Sequence, residues 1–265
     1  MTGTAMTAIL RIESTRRLKS SGAILAVLVL FSGLYLSIFP NFKEDAEELA
    51  DAFPDFFFDM FAIEALHTIE GFIAAEMYSF FWTIVVGIYF AYIGAGMISI
   101  DINHRRMDLT LSNPVSRESV ILQKVVSLWA PLVILNIGLY VVLLAGSHLI
   151  GEPINPVALA MVHLLSVPYL LVCAGIGLVL SVALPHPRSS KAASIAAVLG
   201  LWIIDSITRM SPDYEWIGGI TPSRYYEHSA ILVREEYSLV DAGILTAVFL
   251  ILVSVAVVLF LKRDI

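Results

Sequence analysis

The 265-residue chain is 58% hydrophobic and 15% charged, with a mean hydropathy of +0.84, so it has too little polar surface to coat a water-soluble globule. That balance excludes a soluble enzyme and points to an all-α integral membrane protein with the bilayer as its solvent and no nucleic-acid partner. The formal net charge of −7 hides a segregation of signs along the chain, and the single cysteine, Cys173, excludes an intramolecular disulfide or a paired thiolate metal site.

In chain order, residues 1–21 interleave Arg11, Arg16, Arg17 and Lys19 with Ile9, Leu10, Ile12 and Leu18, the pattern of an amphipathic helix lying on an anionic leaflet. The first apolar run, about 22–39, exceeds the h-region of a signal peptide and reads as a retained anchor, ended by Pro40 and Asn41. Glu44 to Asp59 sets a helical stripe of acids against Phe53, Phe56, Phe57 and Met60, with Pro54 expected to kink or split it. A solvated acidic face accounts for it, since no calcium-loop order is present.

The second span is expected at about 72–100, with Gly87, Gly94 and Gly96 allowing close helix contact. A basic interruption follows at 99–124, then spans at about 125–149, 157–184, 192–208 and 242–261, with Pro131 and Pro168 inside the third and fourth. Between the last two, Pro212, Gly218, Gly219 and Pro222 forbid a continuous helix, while Trp216, Ile217, Ile220, Tyr225 and Tyr226 suit an interface. Broken half-helices are therefore expected there. Six spans place both termini on one side, which then holds twelve of the 16 Lys and Arg residues. The positive-inside bias makes that side cytoplasmic, in a multi-pass protein of the cell membrane.

No phosphate-binding loop, dinucleotide fingerprint, HExxH or GxSxG motif occurs, so the chain is not expected to be an enzyme or to carry a cofactor. His67 and Glu70 are too few for a zinc site. His163 and Asp205 are the ionisable residues inside spans, both expected near the outer interface within reach of water. Tyr89, Tyr92, Trp202 and Asp205 are candidates to line a pathway, although aromatic side chains in spans also serve packing.

The stretch Ser99 to Lys124 carries the strongest signal. Residues 102–111 can continue the second span, with Asp108 placed to pair with His104 and Arg105. Ser112, Asn113 and Pro114 stop it, and Ser116 can cap the next helix with Glu118 in its first turn. The product is helix, break, helix at the membrane surface, a shape that a cytoplasmic partner can grip; an ordinary connector bearing positive-inside charge is the plain alternative.

The segment MDLTLSNPVSRESVILQK, Met107 to Lys124, resembles the coupling region of type-2 ABC transporter permeases. The basic entry helix, six spans, ITPSRYY at Ile220 to Tyr226 and the closing KRDI extend that resemblance over the whole chain. The family's Glu-Gly-Thr before the leucines is replaced here by His104 to Asp108. The resemblance implies a permease of an ABC exporter that pairs with a second permease copy, homo- or heterodimeric. It also implies a separate ATPase subunit, carrying the ATP and Mg, docked through Arg105, Arg106, Asp108, Leu109, Leu111, Pro114 and Arg117. A membrane scaffold or assembly factor and, lower, a secondary carrier are the alternatives; the missing charged relay disfavours the carrier.

Overall fold

The computed structural model describes residues 8–52, 54–113, 115–210 and 212–263. Among these described residues, six helices are long and apolar enough to cross a bilayer: Ile9–Ala46, Ile69–Gly96, Arg117–Leu149, Pro156–Ala183, Pro187–Arg209 and Leu239–Lys262. The expected six-span, all-helical architecture is therefore present, and the differences from the sequence reading lie at helix ends.

Helix α1, Ala8–Ala52, runs 45 residues without a break. At 1.5 Å per residue it is about 67 Å long, roughly twice the hydrocarbon thickness. The basic segment is thus not a separate interfacial helix. Its inward face, with Ser14 and Arg17 buried, packs on protein, while Ile12 and Leu18 point outward. Nor does Pro40 end the span. A proline deletes one rung of the ladder, here to the Leu36 carbonyl, and the helix-favouring residues from Lys43 onward resume it. Glu44, Asp45, Glu48 and Asp59 are exposed, as a solvated acidic face requires. Pro54 does split the segment: it precedes α2, Asp55–Phe61, as its N-cap.

Helix α3, Ile69–Gly96, opens on a Thr68 cap and is π-helical from Ala74 to Val86. The Thr83 hydroxyl donates to the Tyr78 carbonyl five residues back at 2.7 Å, and the Thr83 carbonyl accepts from Tyr169 at 2.8 Å. Two short helices, α4 (Ser99–Asn103) and α5 (Arg106–Leu111), precede α6 (Arg117–Val126) and α7 (Trp129–Leu149). The third span is broken at Ser127 and Leu128 because the Pro131 ring would collide with the carbonyl four residues earlier. Pro131 instead sits in the first turn of α7, where its missing N–H costs nothing.

Helix α8, Pro156–Ala183, is the axis of the bundle and packs against α3, α9 (Pro187–Arg209) and α12 (Leu239–Lys262). In α3 and α8, 72% and 67% of the apolar window is buried, against 22–33% in the other four spans, which turn an apolar face to lipid. Gly94 and Gly177 permit this central crossing. A Cβ on Gly94 would lie 2.1 Å from the Ala174 carbonyl oxygen, and one on Gly177 would lie 2.1 Å from that of Ala91.

Between α9 and α12 the chain breaks as expected, into 3₁₀ turns at Pro212–Tyr214 and Pro222–Tyr225 and short helices α10 (Glu215–Gly218) and α11 (His228–Leu232). Tyr226 is buried and stacks on Tyr169 of α8 with centroids 5.6 Å apart, which docks these half-helices onto the core.

Candidate functional site

The end of the bundle that holds both termini is tied together by charge. Lys124 of α6 is 3% exposed, and its ammonium donates to Glu13 of α1 at 2.7 Å and to Asp101 of α4 at 2.6 Å. Arg106 at the head of α5 takes the other Asp101 oxygen at 2.8 Å, and buried Arg17 reaches the Lys124 carbonyl at 3.4 Å. A buried ammonium between two carboxylates is held because each charge has a partner; any one left alone would bear the full desolvation cost. Three segments distant in sequence, α1, α4 and α6, thus meet on one nitrogen.

The same end uses side chains to close helix ends. Ser116 caps α6 by accepting from Ser119 N at 3.2 Å, as its position predicts. Ser181 of α8 accepts from the backbone N–H groups of Ile98 and Ser99, each at 2.9 Å, and so fixes the elbow between α3 and α4. Arg263 reaches the closing carbonyls of α8, Ser181 at 3.4 Å and Leu184 at 3.3 Å among them. Arg117 donates to the carbonyls of Phe260 at 2.8 Å and Arg263 at 2.7 Å, the free C-terminal acceptors of α12. Residues offered by the sequence as contacts for a partner are, in this case, spent inside the chain.

The coupling segment also departs from a simple extension of the second span. The chain turns at Met97 and again at His104 and Arg105, where Arg105 adopts φ 54, a left-handed conformation that costs a non-glycine residue about 1 kcal/mol. The expected pairing of Asp108 with His104 or Arg105 does not form. His104 Nδ1 bonds instead to the Ile100 carbonyl at 2.8 Å, and the acid that engages an arginine is Asp101. Met107 is fully buried beneath α5, and Leu111 is half-buried. On the outward side Arg105 and Asp108 are exposed and Leu109 is 69% exposed. Pro114 lies outside the described residues.

The four pathway candidates separate into two pairs. Tyr89 and Tyr92 of α3 line a cleft of about 320 Å³ at the termini-bearing end, where Tyr89 lies 2.9 Å from the hydroxyls of Ser20 and Ser21. Trp202 and Asp205 of α9 lie toward the opposite end, Trp202 with its ring 6.2 Å from Phe61. Asp205 is not water-exposed, contrary to expectation: it is 3% exposed and pairs with Arg209 at 3.2 Å and more loosely with Arg224 at 3.9 Å. Those arginines also hold Glu227 at 2.6 Å and Glu215 at 2.8 Å, in the wall of a cavity of about 370 Å³. Arg209 sits one helical turn after Asp205 on α9, and the folding-back of residues 212–234 brings Arg224 over it, a contact that span hydropathy cannot reveal.

His163 is likewise buried, out of the reach of water expected for it. Its Nε2 lies 2.9 Å from the Tyr78 hydroxyl, with the rings of Trp82 and Tyr140 at 5.0 and 6.2 Å. The π-helical turn brings Tyr78 and Trp82 onto this imidazole, and sequence periodicity carries no signal for a π-helix.

His228, on the half-helix α11 beside Tyr226, is buried with both ring nitrogens unpartnered among the described residues. Burial, reinforced by the Arg209 charge, pushes its pKa from 6.5 down to about 3. The folded protein therefore holds a neutral imidazole where the unfolded chain takes up a proton below 6.5. Stability supplied by this group is complete above that pH and is lost on acidification toward 3. At pH 5 the expected loss is on the order of 2 kcal/mol. His228→Phe should flatten this part of the acid slope in thermal unfolding measured from pH 7.5 to 5, and an unchanged slope would contradict it.

A family model described as ABC-2 family transporter protein matches residues 7–265. No curated protein and no solved structure matches the chain.

Proposed function

Because the chain belongs to the ABC-2 family of transporter proteins and so serves as a membrane permease subunit, we propose that it works in an ATP-driven exporter of the cell membrane, paired with a second permease copy and powered by a separate ATPase. ATP and Mg reside on that partner, which docks on residues 99–124. The asymmetry of α5 carries this reading. One side is anchored by buried Met107 and the Arg106–Asp101 pair, while exposed Leu109, Arg105 and Asp108 are offered to solvent. A large apolar side chain presented with charges outside the apolar windows suits the centre of a protein contact. Twelve of the 16 Lys and Arg residues lie at this end, which supports a cytoplasmic placement for it and for both termini.

The geometry behind α5 suggests how a partner's movement spreads. Asp101 and Lys124 link α4 to α6 and α1, Ser181 links the α3–α4 elbow to α8, and Arg117 links α6 to α12. Displacing α5 therefore loads the two central spans and the first and last spans together. An ATPase shifts the permease between states only by the difference in its affinity for them.

The test is co-expression of the tagged chain with each ABC ATPase of the source genome in turn. One ATPase is expected to co-purify with the unaltered chain. Leu109→Glu should reduce that retention at least tenfold while the permease keeps its elution volume. Equal retention by both would move the docking surface away from α5.

A further inference from the structure

The cleft between α1, α3 and α9 has a composition that ATPase docking does not use and that the ion-pair knot, through Glu13 and Arg17, uses only in part. Arg16 and Arg17 of α1 and Lys191 of α9 contribute three cations, and Ser20, Tyr89 and Tyr92 contribute hydroxyls. Its acid, Glu13, is already held by Lys124 at 2.7 Å and Arg17 at 3.5 Å. Among the described residues no carboxylate pairs with Arg16 or Lys191; Lys191 Nζ rests 2.8 Å from the Tyr92 hydroxyl and 4.0 Å from its ring centroid. The remaining wall is apolar, built from Ile93, Met97 and Ile100.

Depth along the bundle agrees with this make-up. Arg16 and Arg17 precede the apolar run that starts at Gly22 by five or six residues, about 8 Å of helix. Lys191 stands four residues into α9, and Tyr92 four residues before the end of α3. All three helices therefore bring their polar groups to one level, where headgroups begin and tyrosine rings settle.

We propose that this cleft binds the phosphate headgroup of an anionic phospholipid, with Arg16 and Lys191 against the phosphate, the buried Arg17 charge behind them, and Ile93, Met97 and Ile100 against the glycerol and first methylenes. Guanidinium groups match phosphate oxygens, and basic pockets between spans recruit anionic lipids in this way. The apolar wall at headgroup depth favours a lipid over a free phosphate. The bound lipid bridges α1 to α9, while α1 itself packs chiefly along α7 and α6.

The full chain, purified in a neutral detergent, would be titrated with dioctanoyl phosphatidylglycerol, dioctanoyl phosphatidylcholine and inorganic phosphate, with binding read by calorimetry. Phosphatidylglycerol is expected to bind, and the double variant Arg16→Gln/Lys191→Gln to weaken its Kd at least tenfold with an unchanged melting temperature. Should that variant not fold, Arg16→Gln alone, at an exposed position, should weaken binding at least threefold. Equal affinity for phosphatidylcholine, or undiminished phosphatidylglycerol binding by the variants, would overturn the site. Displacement of phosphatidylglycerol by millimolar inorganic phosphate would overturn the lipid assignment in favour of a free oxyanion.

Discussion

Lys124→Met is expected to destabilise the permease by about 2–4 kcal/mol, because it removes the ammonium that Glu13 and Asp101 share and leaves each largely buried carboxylate with a single arginine partner, Arg17 at 3.5 Å and half-exposed Arg106 at 2.8 Å. For a chain of this size that corresponds to a fall of roughly 10 °C in the apparent melting temperature in detergent. The loss comes from bringing two carboxylates together without the cation they share, so neutralising them should restore much of it. In Glu13→Gln/Asp101→Asn/Lys124→Met, Arg17 keeps an acceptor in the glutamine amide and in the residue-124 carbonyl. Arg106, 47% exposed, turns to water. At least half of the lost stability should return. A single variant that melts like the unaltered protein, or a triple variant no better than the single, would show that the knot does not hold this end together.

The second large effect is expected at the crossing of α3 and α8. Gly94→Ala and Gly177→Ala each place a Cβ 2.1 Å from a backbone carbonyl oxygen of the other helix, well inside contact distance. A flexible side chain could turn away, but a carbonyl within a helix cannot, so the two central spans must separate by about 1 Å. Each substitution should cost about 1–3 kcal/mol in overpacking. Combined, they should cost less than the sum, since one separation relieves both clashes. Gly200 supplies the contrast: a Cβ there meets nothing within 4 Å, and Gly200→Ala should stabilise α9 by about 0.5–1 kcal/mol. Thermal unfolding of the four proteins in detergent checks the pattern. Strict additivity of the first two would argue against a shared contact.

Much of this was legible from the residues. Ser116 was identifiable as a cap and Pro54 as a break, because each depends on atoms within a few positions along the chain; Gly94 was marked for close contact by residue type alone, its partner carbonyl at Ala174 lying 80 residues away. The role of Gly177 was not visible, since its partner carbonyl comes from Ala91, 86 residues away. Arg117 shows the same limit. Its type and position suit a surface contact, yet the open C-terminal carbonyls of α12 attract it from across the fold. By helical spacing Asp108 was the acid expected to pair with His104 and Arg105; the left-handed turn at Arg105 rotates α5 against α4, and the pair that forms instead is Arg106 with Asp101.

The apolar runs alone determined that the chain crosses a bilayer six times, for hydrocarbon admits only segments that satisfy their own backbone bonds and are long enough to span it. The distribution of Lys and Arg pointed to one end as the working end, and the run from Met107 to Lys124 singled out its segment. Only the tertiary structure decided which charges are free to meet a partner. Lys124 and Arg117 are consumed in closing the bundle, while Arg16, Lys191, Arg105 and Leu109 remain presented. The reason is physical: whether a side chain is buried or offered depends on groups brought to it from distant parts of the chain, and that placement exists only once the helices have packed.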